Sequence, residues 1–447
     1  MSEKFYSKFT EKKPSQKKAS GKKPPVKKTE STKAPAKKET TGKNTATHKS
    51  FKEKTQGTNT FTKLSSLFNT DRLEPQSLKI LNTFDEIIQS VRPLNSKQLQ
   101  KLPDDIRFLS HQLTDQRSER RLGYMNESVQ LSAYVRYYTW WNLVRLTRLF
   151  SSLPESCFPQ DNQICLDIGS GPLTVITALW LSRPELRKLK LTWYCLDVSA
   201  ASLALGEDIY LSVAAKTMKE PWKIIRVKGS FGTVIKEKAG FITCANMLNE
   251  MDQSAQMPPE FQTKKYFDQF SVYSKKDARF LLVEPGVPKA ARTLSLLRER
   301  FIKAQKSVIA PCPHQNECPM NGFKAYTGSK NKWCNFAFNT EDSPQKLLKL
   351  SELAKLPKER ATLSFISAIP VTNKEKDDLL CRITSDPFKL PPNKTGFYAC
   401  SKLGLVLLSL SNKAQAQELS SGHLIQVKIK TPDLPVDEKS GAKIIQL

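Results

Sequence analysis

The 447-residue chain lacks any apolar run close to the roughly 20 residues that span a bilayer. The run GLVLLSL at 404–410 has only the length of a strand. No apolar segment follows the N-terminal lysines, so we expect no signal peptide, and residues 1–55 contain no arginine, which mitochondrial transit peptides favour. We therefore expect a cytoplasmic protein, with the mitochondrial matrix as the weaker alternative. In that compartment the nine cysteines stay reduced or bind metal.

The N-terminal segment of residues 1–58 is poor in apolar residues and rich in lysine. Its first 55 residues hold 17 lysines, five glutamates and no arginine, and the whole chain carries a formal charge of +28. Such KKP and KKE strings bury too little apolar surface to fold, so we predict a disordered tail. A disordered polycation binds nucleic acid with little sequence preference, and the alternative is a tail that only increases solubility.

Residues 59–152 are predicted to form a helical N-terminal region. The string SLKILNTFDEIIQSV repeats apolar residues near a 3.6-residue period, and a second helical block covers 127–150. That block interleaves aromatic residues, among them Tyr134 and Trp141, with arginines such as Arg145. The pattern fits either base stacking with phosphate binding or core packing with arginines at its edge.

Residues 153–300 alternate short β-type runs with helical stretches, which predicts an α/β fold with a doubly wound parallel sheet. Five strands are expected, at ICLDIGSGP (164–172), LTWYCLDVS (191–199), IIRVKGSF (224–231), FITCANMLNEM (241–251) and RFLLVEPG (279–286). A cysteine-cluster region with C-terminal strands follows at 301–430, and residues 431–447 are predicted to be a C-terminal tail.

Glycines and acids follow the first two expected strands. Asp167, Gly169 and Gly171 form a D-x-G-x-G turn after the first strand, and Asp197 ends the second. Ligands of open α/β sheets bind at the carboxyl ends of the strands, where glycines let the backbone approach and an acid accepts hydrogen bonds from ribose hydroxyls. The sequence thus predicts a site for S-adenosylmethionine or a dinucleotide, and D-x-G-x-G is closer to the methyltransferase motif than to G-x-G-x-x-G. Leu173 stands where methyltransferases often carry a third glycine.

The segment ANMLNEM after the fourth strand lacks the N-P-P-Y-type loop that is usual in methyltransferases acting on exocyclic amines. In one interpretation Asn246, Asn249 and Glu250 line a substrate pocket, and in the other they cap a helix. The sequence therefore leaves the catalytic residue unknown.

Four cysteines lie in the strings APCPHQNECPM, NKWCNF and GFYACSKLG, namely Cys312, Cys318, Cys334 and Cys400. Prolines hold Cys312 on a stiff, non-helical loop, which suits a metal ligand. The chain lacks the C-x2–4-C pairs of zinc sites, and wide, irregular spacing fits a 4Fe-4S cluster, with zinc and unligated thiols as alternatives. His314 is an alternate ligand. The other five are predicted to be core residues: Cys157, Cys165, Cys195, Cys244 and Cys381.

A rival role for Cys312 is that of a nucleophile. Ala310-Pro311-Cys312 is similar to the D-A-P-C-type loop of RNA cytosine carbon-5 methyltransferases, which attack the base with a thiolate. That loop follows the fourth strand in those enzymes, whereas Cys312 lies beyond the fifth and no aspartate precedes Ala310. The metal-ligand interpretation is therefore preferred.

The strings LLVEPGVPKAARTLSLLRERF, VIAPCPHQNECPM and KWCNF resemble the Rsm-twenty-two-like family of small-ribosomal-subunit assembly proteins, which includes a mitochondrial methyltransferase-like member. The resemblance covers about two thirds of the chain, from LSHQLTDQRSERRLGYMNESVQLSAYVRYY to GFYACSKLG. It implies a Rossmann-like S-adenosylmethionine methyltransferase fold with an inserted cluster held by Cys312, Cys318, Cys334 and Cys400. It also implies contact with the small ribosomal subunit and its RNA, and neither a membrane nor a DNA partner is expected.

Two functions follow from these expectations. The first is an S-adenosylmethionine-dependent methyltransferase that acts on ribosomal RNA, favoured by the glycine turn and Asp197. The second is a non-catalytic RNA-binding assembly factor with a structural or redox-sensing metal cluster. Leu173 and the missing N-P-P-Y loop favour this second function.

Overall fold

The computed structural model describes residues 59–114, 124–251, 257–322, 332–371, 378–430 and 433–447. These residues belong to one compact unit, which spans 56–447. The predicted lysine-rich tail at 1–58 lies outside the described residues. Within the described ranges, no helix is long and apolar enough to cross a membrane.

Eleven α-helices are present in the described part of the chain. They are α1 (Pro75–Asn82), α2 (Phe84–Val91), α3 (Ser96–Leu113), α4 (Ser128–Ala133), α5 (Trp140–Ser152), α6 (Thr174–Ser182), α7 (Ala200–Lys216), α8 (Pro259–Tyr273), α9 (Pro288–Lys303), α10 (Gln345–Leu353) and α11 (Lys413–Gln417). A π-helical stretch, Tyr134–Thr139, joins α4 to α5. The predicted helix SLKILNTFDEIIQSV is divided at Thr83, which caps α1 with its peptide N–H and begins α2.

Fifteen strands form two sheets in the described residues. They are β1 (Thr60–Ser65), β2 (Ile164–Ile168), β3 (Thr192–Asp197), β4 (Lys223–Lys228), β5 (Ala239–Ala245), β6 (Ser274–Glu284), β7 (Lys306–Ala310), β8 (Phe336–Asn339), β9 (Arg360–Pro370), β10 (Leu379–Ile383), β11 (Phe388–Leu390), β12 (Lys394–Ser401), β13 (Gly404–Leu410), β14 (Leu424–Lys428) and β15 (Lys443–Gln446). All five strands expected in the predicted Rossmann segment are present.

The larger sheet has the order β4-β3-β2-β5-β6-β9-β7, with β8 paired to β9. The first five strands are parallel, and β9 runs antiparallel to β6 and β7. The α/β prediction is therefore confirmed, and the sheet is mixed. The chain winds outward from β2 to β4 and then returns to place β5 on the other side of β2. This switch point sets a crevice at the carboxyl ends of β2, β3 and β5.

The smaller sheet has the order β1-β14-β10-β12-β13-β15, with β11 paired to β12. Its first strand comes from residues 60–65, which pair with β14 more than 350 residues later. Lys443–Gln446, inside the segment predicted as a C-terminal tail, forms β15 parallel to β13. The apolar faces of these strands enclose a core of their own, separate from the two cores that flank the larger sheet.

Candidate cofactor pocket and thiol cluster

The turn after β2 depends on two glycines with left-handed backbone. Gly169 has φ 68° and Gly171 has φ 49°. A Cβ on Gly169 would lie 2.5 Å from Cγ of Met247, which is closer than atoms approach without displacement. Glycine is thus required at Gly169 both for the backbone conformation and for contact with the segment after β5.

The position of the often-found third glycine is occupied by Leu173, which adopts the left-handed conformation with φ 52° and ψ 37°. Its side chain is fully buried and packs in the core. The close approach between loop and helix comes instead from Gly206 of α7, where a Cβ would lie 2.4 Å from the carbonyl carbon of Pro172. The departure from the motif is therefore accommodated by a glycine on the neighbouring helix.

Asp197 ties the first two loops of the crevice together. Its Oδ2 accepts a 2.9 Å hydrogen bond from the Gly171 N–H, and its Oδ1 accepts a 2.8 Å bond from the Ser199 N–H. Burial raises the pKa of Asp197, while the bonds from the Ser199 and Gly171 N–H groups oppose that shift. Each carboxylate oxygen has two acceptor positions, so both retain capacity for a ligand hydroxyl.

Asp167 lies in the floor of the crevice and is completely buried. Its Oδ1 accepts a 2.6 Å hydrogen bond from the Thr243 hydroxyl of β5, and its Oδ2 has no partner among the described residues. Burial raises the pKa of Asp167 to about 7. The carboxyl therefore holds its proton over much of the acidic range.

A cavity of about 370 Å³ opens at the carboxyl ends of β2, β3 and β5. Gly169, Gly171 and Asp197 line it, as a cofactor site would require, and Asp167 lies beneath it without lining it. Asn246 and Glu250 also line the cavity, whereas Asn249 does not. A volume of this size is within the range of small-molecule sites.

The segment after β5 is held by a buried glutamate at the end of β6. Glu284 accepts hydrogen bonds from the N–H groups of Leu248 (2.9 Å) and Asn249 (3.0 Å). Asn246 has φ 58°, and its N–H donates to the Val283 carbonyl at 2.8 Å. These bonds turn the chain so that Asn246 and Glu250 face the cavity.

The N-terminal helical region completes the cavity wall, which the sequence pattern did not predict. Tyr124, Met125, Tyr134 and Asn142 line it. Tyr134 begins the π-helical stretch, and its ring stacks on that of Tyr138 with centroids 5.5 Å apart. The sequence pattern leaves this aromatic and arginine stripe as either core packing or base stacking, and it gives no local signal for the π-helical turn.

The four predicted metal-binding cysteines come from the loops after β7 and before β8 and from β12, and they are near enough for their charges to shift one another's pKa. Burial raises the pKa of the Cys334 thiol, and the charges of Cys318, Cys312 and Cys400 raise it further. Burial and the charges of Cys312 and Cys318 also raise the pKa of Cys400. Nε2 of His314 lies 3.1 Å from Sγ of Cys400. Residues separated by up to 88 positions in the chain thus share one electrostatic environment.

Two buried arginines lie beside these thiols. Nε of Arg298 donates a 3.1 Å hydrogen bond to Sγ of Cys312, and its Nη2 donates to the carbonyls of His314 and Asn316. Arg382 of β10 lies directly opposite Cys400 of β12 in the antiparallel strand register. Its Nε donates a 3.0 Å hydrogen bond to the Pro311 carbonyl. Nη1 of Arg298 is buried and has no hydrogen-bond partner among the described residues.

In the described part of the chain, no group of three or more His, Cys, Asp or Glu residues has the arrangement that holds a metal ion. This finding supports neither the predicted 4Fe-4S centre nor the zinc alternative, and the four-cysteine metal centre stays a prediction. The other five cysteines are buried, as expected of core residues. Cys312 lies outside the cavity lining, so the geometry offers nothing for the nucleophile interpretation.

The sequence of residues 129–390, more than half of the chain, matches the family described as "Mitochondrial small ribosomal subunit Rsm22". The chain belongs to this family. The resemblance drawn from the APCPH and KWCNF strings is thereby confirmed. No curated protein gave a significant match.

Among solved structures, an S-adenosylmethionine-dependent methyltransferase from Geobacter sulfurreducens, in complex with S-adenosyl-L-homocysteine, is 13% identical, with 52% of this chain and 90% of that one covered at a TM-score of 0.27. A second methyltransferase, from Thiobacillus denitrificans and also in complex with S-adenosyl-L-homocysteine, is 11% identical. The match covers 52% of this chain and 91% of that chain, with a TM-score of 0.29. A ribosomal protein L11 methylase from Lactobacillus delbrueckii subsp. bulgaricus is 14% identical. The match covers 37% of this chain and 70% of that chain, with a TM-score of 0.25. At these TM-scores, the α/β assignment rests on the strand order of this chain itself.

Proposed function

We propose that this Rsm22-family protein binds S-adenosylmethionine and acts on, or binds, small-subunit ribosomal RNA. The observation that carries the proposal is the cavity at the switch point, where Asp197 and the left-handed Gly171 meet at 2.9 Å. An acid at the end of the second strand beside a glycine turn after the first is the arrangement that receives a ribose in open α/β sheets.

The cavity wall also suits the rest of this cofactor. Asp197 would accept the ribose hydroxyls, and Gly169 would let the backbone approach the ligand. When bound, S-adenosylmethionine supplies an activated methyl group on a positively charged sulfonium. Tyr134 brings an aromatic ring and Glu250 a carboxylate to the same cavity, and both attract a cation.

The RNA part of the proposal is supported by the family's description and by charge. That description names the mitochondrial small ribosomal subunit, and the chain carries +28. A strong positive charge favours binding to phosphate backbones. The description also favours mitochondria over the cytoplasm that was expected from the composition of the tail.

A second candidate is a non-catalytic assembly factor with the same fold. Leu173 fills the third-glycine position with a buried side chain. Glu284 occupies the peptide N–H groups of Leu248 and Asn249 after β5. Those groups follow the strand where amine-directed methyltransferases carry their N-P-P-Y-type loop, which this chain lacks.

Transfer of a tritiated methyl group from S-adenosylmethionine to purified small ribosomal subunits separates the two candidates. The enzyme predicts incorporation into RNA that is lost in Asp197→Asn and retained in Asp208→Asn, an exposed acid on α7. Subunit binding without incorporation supports the assembly factor. Failure to bind small ribosomal subunits contradicts both candidates.

We further propose that Cys312, Cys318, Cys334 and Cys400 hold a 4Fe-4S cluster. The donor set fits, because four thiolates leave such a cluster negatively charged, and two buried arginines lie beside the sulfurs. The unpartnered Nη1 of Arg298 is a further donor available to that charge. Without a negative group, two buried guanidinium ions at this place would be costly.

Anaerobic purification tests this second proposal. About four irons per chain are expected. Cys318→Ser should lose the iron and destabilise the C-terminal half, whereas the buried Cys195→Ser should retain it. One equivalent of colourless zinc, or equal iron loss in both variants, would contradict the assignment.

A further inference from the structure

The smaller sheet follows a recognisable chain path. β10, β12 and β13 form an antiparallel meander, α11 follows β13, β14 returns antiparallel to β10, and β15 lies parallel to β13. Five strands connected in this way, with a helix between the third and fourth, have the connectivity of the OB fold. The N-terminal strand β1 adds to β14 as a sixth strand.

The strands enclose an apolar interior of their own. Phe397, Val406, Leu408, Ile425 and Ile445 are fully buried in one cluster. Asn59, just before β1, joins the two ends of the sheet. Its Nδ2 donates to the Gln446 carbonyl at 2.9 Å, and its Oδ1 accepts from the Lys430 N–H at 2.9 Å. The sheet is therefore curved into a partly closed barrel.

OB folds bind oligonucleotides on the face of the second and third strands and on the loop between the first two. In this chain that loop is 384–393, and a cavity of about 760 Å³ lies between it and α11. Three lysines line the cavity, Lys389, Lys394 and Lys413, and none of its described lining residues is acidic. In the described part of the chain, no ion pair involves these lysines.

An aromatic pair lies on the β11–β12 hairpin that carries Lys389 and Lys394, outside the described lining of the cavity. The rings of Phe388 and Tyr398 lie 5.1 Å apart at 30°, and both residues are partly exposed. Gly396 makes this packing possible, because a Cβ there would lie 2.7 Å from the Phe388 ring. Lys332 places its Nζ 4.1 Å above the Tyr398 ring. The hairpin thus carries both a partly exposed aromatic ring and lysines, and these are the two kinds of side chain that hold single-stranded nucleic acid.

We infer that the barrel formed by β10, β12, β13, β14 and β15 binds single-stranded RNA through this groove. Lys389, Lys394 and Lys413 in the groove contact phosphates, and Phe388, partly exposed on the same hairpin, stacks on a base that extends beyond the groove. This deepens the proposed function, on whose RNA partner it rests, by naming the element that holds the RNA and the class of RNA held. The barrel site is independent of the cofactor cavity.

Fluorescence anisotropy of the full chain with a labelled 12-nucleotide single strand and a 12-base-pair RNA duplex tests the inference. The barrel variant is Lys389→Glu/Lys394→Glu/Lys413→Glu. The matched control is Lys216→Glu/Lys219→Glu/Lys223→Glu, which changes the charge equally at exposed positions around the end of α7. The barrel variant should bind the single strand about 10-fold more weakly than the control and with a shallower salt dependence. Both variants should bind the duplex alike.

The aromatic contribution is measured separately with Phe388→Ser, which should weaken single-strand binding about 5- to 150-fold. Thermal unfolding of each variant verifies that the barrel is intact. Equal single-strand affinity in the barrel variant and the control would overturn the inference, because binding would then follow net charge alone. The affinity for S-adenosylmethionine should be unchanged in all variants. If the unmodified protein does not bind S-adenosylmethionine, the cofactor proposal is contradicted, and the RNA measurements still decide the barrel inference.

Discussion

The peptide N–H of Gly171 donates a 2.9 Å hydrogen bond to the carboxylate of Asp197, 26 residues further along the chain. This bond joins the loop after β2 to the loop after β3 at the sheet's switch point. The carboxylate proposed to receive the cofactor therefore also fixes the glycine turn beside it. A ligand that binds to Asp197 meets a site whose two halves are already held together.

The left-handed conformation of Leu173 predicts an inverted order of stability for small substitutions. In an ordinary helix, alanine is more stable than glycine by about 1 kcal/mol. At φ 52° an alanine keeps the left-handed penalty of about 1–2 kcal/mol that glycine avoids. Leu173→Gly should therefore be at least as stable as Leu173→Ala, although both lose stability because the buried side chain is removed. Urea unfolding measures the order, and a clearly more stable alanine variant would contradict the backbone assignment.

Gly206 is predicted to be required for the loop geometry although it does not line the cavity. In Gly206→Ala the new methyl group would lie 2.4 Å from the Pro172 carbonyl carbon, so the loop must move. Overpacking of this kind costs about 1–3 kcal/mol of unfolding free energy, and S-adenosylmethionine affinity should fall as well. Ala215→Ser, at an exposed position of α7, is the control and should change neither quantity. Normal stability and affinity in Gly206→Ala would show that the loop does not depend on this contact.

Asp167 predicts a pH dependence of stability with a definite sign. Burial raises its pKa from 3.8 to about 7, so between about pH 4 and pH 7 the folded protein holds a proton that the unfolded chain has released. The contribution of Asp167 to the free energy of unfolding therefore falls as the pH rises through that window, by up to about 1.4 kcal/mol per pH unit. The charge of Asp197 on β3 acts in the same direction, and the Thr243 hydroxyl bond opposes it.

The Asp167→Asn variant cannot ionise and tests this dependence. Its unfolding free energy relative to the unmodified protein should increase steadily from pH 4.5 to pH 7. Urea titrations at intervals of one pH unit measure the difference. A difference that is constant across the window would mean that the buried carboxyl titrates normally.

The glycine turn that lines the cavity could be predicted from sequence because its signals are local. Gly169, Gly171 and Asp197 each follow a short β-type run, and strand ends gather at one edge of a parallel sheet. The barrel could not be predicted in this way. Its strand β1 pairs with β14 across more than 350 residues, and β15 lies in a segment that composition marks as a tail. Such pairings leave no periodic signal that links the partners.

The remaining parts of the two candidate sites were missed for the same reason. Tyr134 reaches the cavity because the chain is π-helical there, and that distortion depends on tertiary packing. Arg298 lies 14 residues from Cys312 but touches its sulfur only because α9 folds back on the loop after β7. Flanking prolines, spacing and the family resemblance predicted the four cysteines as a metal site, whereas the two arginines beside them could be found only from the fold.

Isothermal titration calorimetry with S-adenosylmethionine tests the central claim most directly, because it measures binding without requiring a substrate. The unmodified protein should bind one equivalent. Asp197→Asn should weaken binding by about 10- to 150-fold, which corresponds to the roughly 1.5–3 kcal/mol of a charge-assisted hydrogen bond, while Asp208→Asn should bind normally. Absence of binding, or equal affinity in a folded Asp197→Asn variant, would contradict the assignment of this cavity as the cofactor site.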